Sequence, residues 1–307
     1  MKVAALDLGT NTFLCLIADV ESGKICKVYD DQVRVVRLGQ GVNQTKKFHP
    51  EALVRARKAL TEFAQIIAMH KPTAVLAMAT SASRDVTNSE ELFSIGKELG
   101  IPIEIIPGEK EAEITYRGAI SGQKNPDEKM VIIDVGGGST EIILGEKQKL
   151  SLSESLNIGC VRLTEKFLPK QPASAPQLQA LIEEVRKQIG PLAAKIKASG
   201  QIGKILAVAG TPTELAKIEI GNFIPEKVEG YILTTQQLAS WREKFSALSP
   251  EEISAKFNVS PGREDVLLVG VVILEETAKA LGQSQLVVST RGVRFGVALE
   301  LERRGFK

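Results

Sequence analysis

Two short stretches of this chain follow one plan, and that repeat constrains the fold more than any other feature. With Asp7 laid on Asp134, VAALDLGTNTFLCLI and MVIIDVGGGSTEIIL place Gly9 on Gly136, Thr12 on Ser139 and Leu16 on Ile143. Each stretch is an apolar strand, an aspartate, a glycine-containing turn with a hydroxyl residue, and a second apolar strand. A single Asp-x-Gly between strands is common. Two of them, about half a chain apart, predict a duplicated unit: two similar halves facing one another across a cleft.

The rest of the chain is mixed α/β. A third strand is expected over 24–38, an amphipathic helix over 50–69, and a short buried strand over 74–80. The polar loop SASRDVTNSEE leads into a helix capped by Asn88 or Ser89. IPIEIIPG is another strand, followed by a helix over 109–121. The second half repeats the order, with strands at 131–135, 140–145 and 148–157. A linker-like stretch at 169–177 precedes a helix over 176–199. KILAVAG is a buried strand, helices follow near 235–246 and 263–281, QLVVST is a last strand, and RGVRFGVALELERRG a closing helix. Strands meeting helices at glycine-rich turns imply sheets with helices on their faces.

The chain has 307 residues, enough for two domains with cores of their own. Its net charge of +2, from 39 basic and 37 acidic residues, provides no basic coat for DNA or RNA. The three cysteines, Cys15, Cys26 and Cys160, form no CxxC pair and read as reduced thiols. The two histidines, His49 and His70, lie far from the motifs, which speaks against a zinc cluster or a Ser-His-Asp triad. The hydrophobic start is interrupted by Asp7 and lacks a small-residue cleavage site, and no stretch reaches membrane-spanning length. A cytoplasmic protein is expected.

Four polar loops follow four apolar strands: DLGTNT, TSASR, DVGGGSTE and AGTPTE. Ligands gather at the carboxyl ends of strands in open α/β sheets, so these loops are candidates for one site. Backbone N–H groups of Gly136, Gly137, Gly138 and Ser139 suit an anion, with Asp134 and Glu141 beside them for a metal. In AGTPTE, Thr211 is expected as N-cap, Pro212 as the first helical residue and Glu214 as the end of a capping box. An ordinary helix start accounts for that pattern equally well, although Gly210 could also open the helix N-terminus to a phosphate. Arg84 suits either a surface carboxylate or a terminal phosphate. Glu109, Glu111 and Glu113 begin a helix, where acids are favoured for dipole reasons alone.

These motifs together resemble one family. ALDLGTNTF, ATSASRDVTN, IIPGEKEAEITYRGA, VIIDVGGGSTEIILG, SLNIGCVRLTEKF, AVAGTPTELA and VSTRGVRFGVALE occur in the order found in the exopolyphosphatase / guanosine-pentaphosphate phosphohydrolase (Ppx/GppA) family. That family belongs with actin, sugar kinases and heat-shock ATPases. The resemblance implies two ribonuclease-H-like domains with mixed sheets flanked by helices and an active-site cleft between them. It places the first domain at 1–124 and 290–307, with the closing helix packing back, and the second at 125–289. It implies release of the terminal phosphate of polyphosphate, of guanosine pentaphosphate, or of both, and so a link to the stringent response. Glu111 would be the catalytic glutamate. Magnesium, or manganese in its place, would be held by Asp134, Glu141 and Asp7. Thr10, Asn11, Thr12, Gly136 to Ser139, Gly210 and Thr211 would bind phosphate, and Arg84 would contact it.

Several features depart from the family pattern. Lys110 stands where many relatives have a second acid, and Leu14 where a basic residue is frequent. Longer relatives carry further helical domains tied to processivity, beyond the point where this sequence stops. Arg186, Lys187, Lys195 and Lys197 could line a polyphosphate route, or form a solvated face. Arg294 is expected to be structural, and a homodimer is a further expectation from the resemblance. Two rival readings remain: an ATP-dependent kinase of the same fold, and a sensor that binds guanosine tetra- or pentaphosphate without turnover.

Overall fold

The computed structural model describes residues 1–305, and the chain divides into two compact units. Unit 1 comprises Met1–Gln123 and the segment from Arg291 onward; unit 2 is Lys124–Thr290. The last two positions of the expected first domain, 306 and 307, lie outside the described residues.

Unit 1 begins with β1 (Lys2–Leu8), β2 (Thr12–Glu21) and β3 (Lys24–Val35). Then come α1 (Val42–Thr45), α2 (Pro50–His70), β4 (Ala74–Ala79), α3 (Ser81–Arg84), α4 (Glu90–Glu98), β5 (Ile103–Ile105) and α5 (Gly108–Ile120). Unit 2 holds β6 (Met130–Val135), β7 (Thr140–Glu146), β8 (Lys149–Leu156), α6 (Cys160–Phe167), α7 (Ala175–Ala198), β9 (Lys204–Val208) and α8 (Gly210–Ile220). It continues through α9 (Pro225–Val228), β10 (Ile232–Thr234), α10 (Thr235–Ser246), α11 (Pro250–Phe257), α12 (Leu267–Ala280) and β11 (Gln285–Val288). The chain then re-enters unit 1 as α13 (Val293–Arg304).

The two sheets carry the repeat read from the sequence. In unit 1 the order is β3-β2-β1-β4-β5, and in unit 2 it is β8-β7-β6-β9-β11, with β10 added beyond β11. The first three strands of each sheet are antiparallel, and the next two run parallel to the first. Asp7 faces Leu14 on β2 and Met78 on β4, while Asp134 faces Glu141 on β7 and Val208 on β9.

Strand periodicity explains why β1 is apolar throughout. Ala4, Leu6 and Leu8 point to one face, under Leu53, Ala56, Leu60 and Phe63 of α2. Val3 and Ala5 point to the other face, with Leu16, Leu76 and Met78, under Ile114 of α5 and Val297, Ala298 and Leu301 of α13. A strand covered on both faces needs no polar alternation. In unit 2, Val131, Ile133 and Val135 of β6 join Leu181, Val185, Ile189 and Leu192 of α7 in one core with α12. Every residue of α12 from Leu267 to Ala278 is buried; Leu267 to Leu274 are apolar on every side, and the buried Glu275 and Glu276 are paired with Arg242, Lys279 and Arg186.

α5 and α13 cross at backbone contact. A Cβ on Gly118 would run into the Gly292 carbonyl oxygen and lie 2.8 Å from the Gly296 nitrogen, and one on Gly296 would strike the Ile114 carbonyl. Only glycine at both positions permits this approach.

Several expectations change. Thr211 is not the N-cap of α8: the helix starts at Gly210 with Ala209 as cap residue, and no side chain caps it. Glu214 does not reach back to close a capping box; it accepts from the Ser260 N–H and the Lys217 ammonium instead. Ser89 caps α4 by position without a side-chain bond, whereas the Asn88 side chain accepts from the Phe48 N–H and donates to Glu91. The strand expected in IPIEIIPG shrinks to Ile103–Ile105, and the helix expected from 263 starts at Leu267. α1, α6, α9, α11 and β10, all short, go beyond the sequence expectations, and the loop expected from Ser81 opens with the one-turn helix α3. Cys15 and Cys160 are buried free thiols and Cys26 is exposed. Among the described residues, no helix is long and apolar enough to cross a membrane.

Candidate active site

The two hairpin turns are built alike. In unit 1 the Gly9 N–H donates to the Thr12 carbonyl at 3.1 Å, and in unit 2 the Gly136 N–H donates to the Ser139 carbonyl at 3.0 Å, so the Gly136 amide expected to bind phosphate is spent inside the turn and the donors left are those of Gly137 to Ser139. A Cβ on Gly9 or Gly136 would sit 3.0 Å from the same carbonyl oxygen, tighter than an ordinary contact, so the close approach favours glycine at both. Thr10, Asn11 and Ser139 are buried in these turns, and Thr12 is half-buried.

In unit 1 a chain of contacts joins the turn to Glu111. The Thr10 hydroxyl accepts from the Ala82 N–H at 3.2 Å, tying the turn to α3. Arg84, the last residue of α3, donates through Nη1 to Glu111 Oε2 at 2.7 Å and to the Ile106 carbonyl at 2.8 Å. The guanidinium is thus partly committed to the glutamate. Of the three acids that open α5, only Glu111 is buried, at 6 % exposure. Burial pushes its carboxyl above the usual carboxylate range, while Arg84 and then Thr80 pull it back down. Lys110 pairs with Glu113 at 2.9 Å and approaches Glu300 at 3.6 Å, so it belongs to the ion pairs between α5 and α13. Asp7 is half-buried opposite Leu14, and no second carboxylate joins it across that ladder.

In unit 2, Asp134 and Glu141 face one another across the β6–β7 ladder at the base of the glycine turn. Both are buried, at 6 % and 0 % exposure. The Ser155 hydroxyl donates to Glu141 Oε1 at 2.6 Å, orienting that carboxylate. Two oxygen donors side by side suit a hard divalent cation that takes its remaining ligands from water and phosphate. Among the described residues, no cluster of three or more His, Cys, Asp or Glu could enclose an ion unaided. The pair fits a hard divalent cation held in that open form and does not fit a closed structural metal cage.

Gly210 follows β9 at the N-terminus of α8, after Ala209 at φ 75° and ψ −161°. That conformation is costly for a residue with a Cβ, by about 1–3 kcal/mol, and such strain collects at functional turns. The Thr211 side chain turns inward against Gly270 of α12, leaving its backbone as the part able to meet a ligand. Sequence reasoning passed over Arg263. Its guanidinium lies against Gly210 so closely that a Cβ there would overlap Nη1, and Nε is 3.9 Å from Glu214 Oε2. Burial depresses its pKa. The only hint in the sequence is an arginine in a Pro-Gly loop before a helix whose first eight residues, Leu267 to Leu274, carry no polar side chain. Of the basic residues considered for a polyphosphate route, Arg186 pairs with Glu276 and Lys195 with Glu154. Arg294 makes a bidentate pair with Asp31 at 2.7 Å through each nitrogen.

Duplicated sheets of this order, each opening with a glycine-turned hairpin, define a two-domain protein of the actin-like class. Within that class, the chain belongs to the Ppx/GppA phosphatase family, whose model matches residues 16–304. It is 34% identical to exopolyphosphatase 2 of Mycobacterium tuberculosis over 98% of both chains. It is 28% identical to the guanosine-5'-triphosphate,3'-diphosphate pyrophosphatase of Photobacterium profundum, over 97% of this chain and 59% of that one. Among solved structures, the Aquifex aeolicus member of the Ppx/GppA family matches with a TM-score of 0.81 and 30% identity, over 99% of each chain.

Proposed function

We propose that this protein is an exopolyphosphatase that removes the terminal phosphate of inorganic polyphosphate and also accepts guanosine pentaphosphate. Support for polyphosphate as the leading substrate is the relative named exopolyphosphatase, similar along its full length, whereas the guanosine-nucleotide relative is matched over 59% of its length.

The observation that carries the reading is Glu111, a buried carboxylate at the start of α5 with a raised pKa and one arginine partner. A carboxylate whose pKa is raised is a stronger proton acceptor in its ionised form. In the proposed reaction, Glu111 orients water and takes its proton. The water oxygen forms a bond to the terminal phosphorus, and the bridging P–O bond breaks in line. The shortened polyphosphate leaves with the bridging oxygen and its electron pair. Backbone N–H groups of Thr10 to Thr12, Gly137 to Ser139 and Gly210–Thr211 hold the phosphates, and Arg84 and Arg263 supply positive charge. A magnesium ion at Asp134 and Glu141 would neutralise charge on the phosphate oxygens. Asp7, at the base of the first turn, is likewise assigned to metal binding.

The test is phosphate release by the purified protein with magnesium, offering polyphosphate, guanosine pentaphosphate and ATP in parallel. Release from polyphosphate is expected, falling at least about a hundredfold in Glu111→Gln. Tight guanosine-nucleotide binding with no release from any substrate would overturn the hydrolase assignment in favour of a sensor. Transfer of phosphate from ATP to an acceptor would instead point to a kinase.

A further inference from the structure

Residues Asn157–Arg162, between β8 and the first turn of α6, have no part in the chemistry above, yet they back the whole glycine turn. The Gly136 carbonyl accepts from the Cys160 N–H at 2.9 Å. The Gly137 carbonyl accepts from the Val161 and Arg162 N–H groups at 2.9 and 3.0 Å. The Gly138 carbonyl accepts from Arg162 Nε at 2.7 Å, a bond made by a side chain. The Thr140 hydroxyl donates to the Ile158 carbonyl, at the foot of the same segment. Gly159 permits the approach: a Cβ there would lie 2.5 Å from the carbonyl carbons of Gly137 and Gly138.

This pattern fixes where the turn's donors point. In a trans peptide the C=O of one residue and the N–H of the next lie on opposite sides of the bond. Carbonyls of Gly136, Gly137 and Gly138 held against α6 therefore turn the N–H groups of Gly137, Gly138 and Ser139 away from it. The first turn is backed in the same manner. The Thr10 carbonyl accepts from the Gly39 N–H at 2.8 Å, and the Asn11 carbonyl from Val36 and Arg37 at 2.9 Å each, all from the segment after β3.

A run of three glycines has little intrinsic preference for one peptide orientation over its flip. A flipped Gly138–Ser139 peptide would present a carbonyl oxygen to an anion in place of an N–H. We propose that Arg162 is a positioning residue for the phosphate-binding turn: its Nε–H holds the Gly138 carbonyl, and so aims the Ser139 N–H at the substrate phosphate. Arg162 acts through the peptide plane and not by touching substrate. The inference rests on the phosphohydrolase reading for its substrate, and on the turn geometry for its mechanism.

The test uses the full chain labelled with nitrogen-15, with inorganic phosphate as probe, so that it does not depend on turnover. In the wild type, phosphate is expected to shift the amide resonances of Gly137, Gly138 and Ser139. In Arg162→Met, which keeps the length and loses the donors, phosphate affinity read at Ser139 should fall about tenfold. kcat on polyphosphate should fall about a hundredfold, with a smaller change in KM, the signature of a lost transition-state donor. Arg162→Lys, whose single donor head cannot reproduce the planar fork, should recover only part of the loss, and it carries the comparison if the methionine variant does not fold. A full wild-type response at Ser139 in Arg162→Met, or in Arg162→Lys if that variant stands in, overturns the inference. So does a wild-type protein whose turn amides ignore phosphate. A normal phosphate response without turnover of any substrate would overturn the hydrolase reading and leave the positioning role in place.

Discussion

Among the described residues of unit 1, Glu300 is the most heavily paired carboxylate, and replacing it should expose what holds α13 to α5. Its side chain is 1 % exposed. It accepts from Arg303 at 2.8 and 2.7 Å, Arg304 at 3.1 Å and Arg117 at 3.3 Å, with Lys110 at 3.6 Å. The Arg303 bonds are the chief reason its pKa falls from 4.5 to about 2. At about 1.4 kcal/mol per pH unit, that fall sets a ceiling of about 3 kcal/mol of folding free energy at neutral pH. Arg303 is more than half exposed, and solvent screening of such partners lowers the expectation to about 2 kcal/mol. The sign follows from the depressed pKa. The stabilisation is present above 4.5, where the unfolded carboxyl is also ionised, and is lost as pH falls towards about 2. Glu300→Gln should therefore cost about 2 kcal/mol near pH 7 and about 1 kcal/mol near pH 3. Urea unfolding followed by circular dichroism measures it. Fluorescence of Trp241, the single tryptophan, serves as a control because it belongs to unit 2. A penalty equal at both pH values, or below about 0.5 kcal/mol at neutral pH, would refute the ion-pair reasoning.

Two further outcomes are expected. Glu111 must be ionised to accept a proton, and burial raises its pKa, so kcat/KM should fall with acid through a value above the ordinary carboxylate range of about 4.3. The same raised pKa favours the protonated folded form, so its contribution to stability is present in acid and lost as pH rises through the folded value. An acid limb at or below the ordinary value would remove the case for a tuned base. Gly118→Ala should destabilise unit 1 by about 1–3 kcal/mol, because the new methyl meets the Gly292 carbonyl, an atom that cannot rotate away. An unchanged urea midpoint would mean that the two helices separate without cost.

The duplicated hairpins were legible because they rest on local necessities. Apolar strands of period two and glycines forced by close approach leave marks within about fifteen residues. The choice of Glu111 over Glu109 and Glu113 was not legible from the helix itself, since all three satisfy the same dipole preference. What separates them is burial beside Arg84, a contact made across α3. The misplaced cap at Thr211 has the same origin. Thr-Pro-Thr-Glu fits a capping box locally, but Glu214 is claimed by Ser260 and Lys217, and Thr211 by the packing of α12. Arg263 and Arg162 were invisible as functional candidates because each gains its role from the backbone of a glycine turn remote in sequence.

The path of the chain gives α13 a consequence for how the protein is made. Unit 2 is encoded as an insertion inside unit 1, and α13 is translated after all of it. During synthesis Val3, Ala5, Leu16, Leu76 and Met78 emerge early, yet the face they form gains its α13 cover only at the end. The unit that begins first is therefore completed last, while unit 2, continuous in sequence, can close as soon as β11 has left the ribosome. A nascent chain stalled before α13 presents one finished unit and one sheet with an apolar face still open, the kind of surface that chaperones hold.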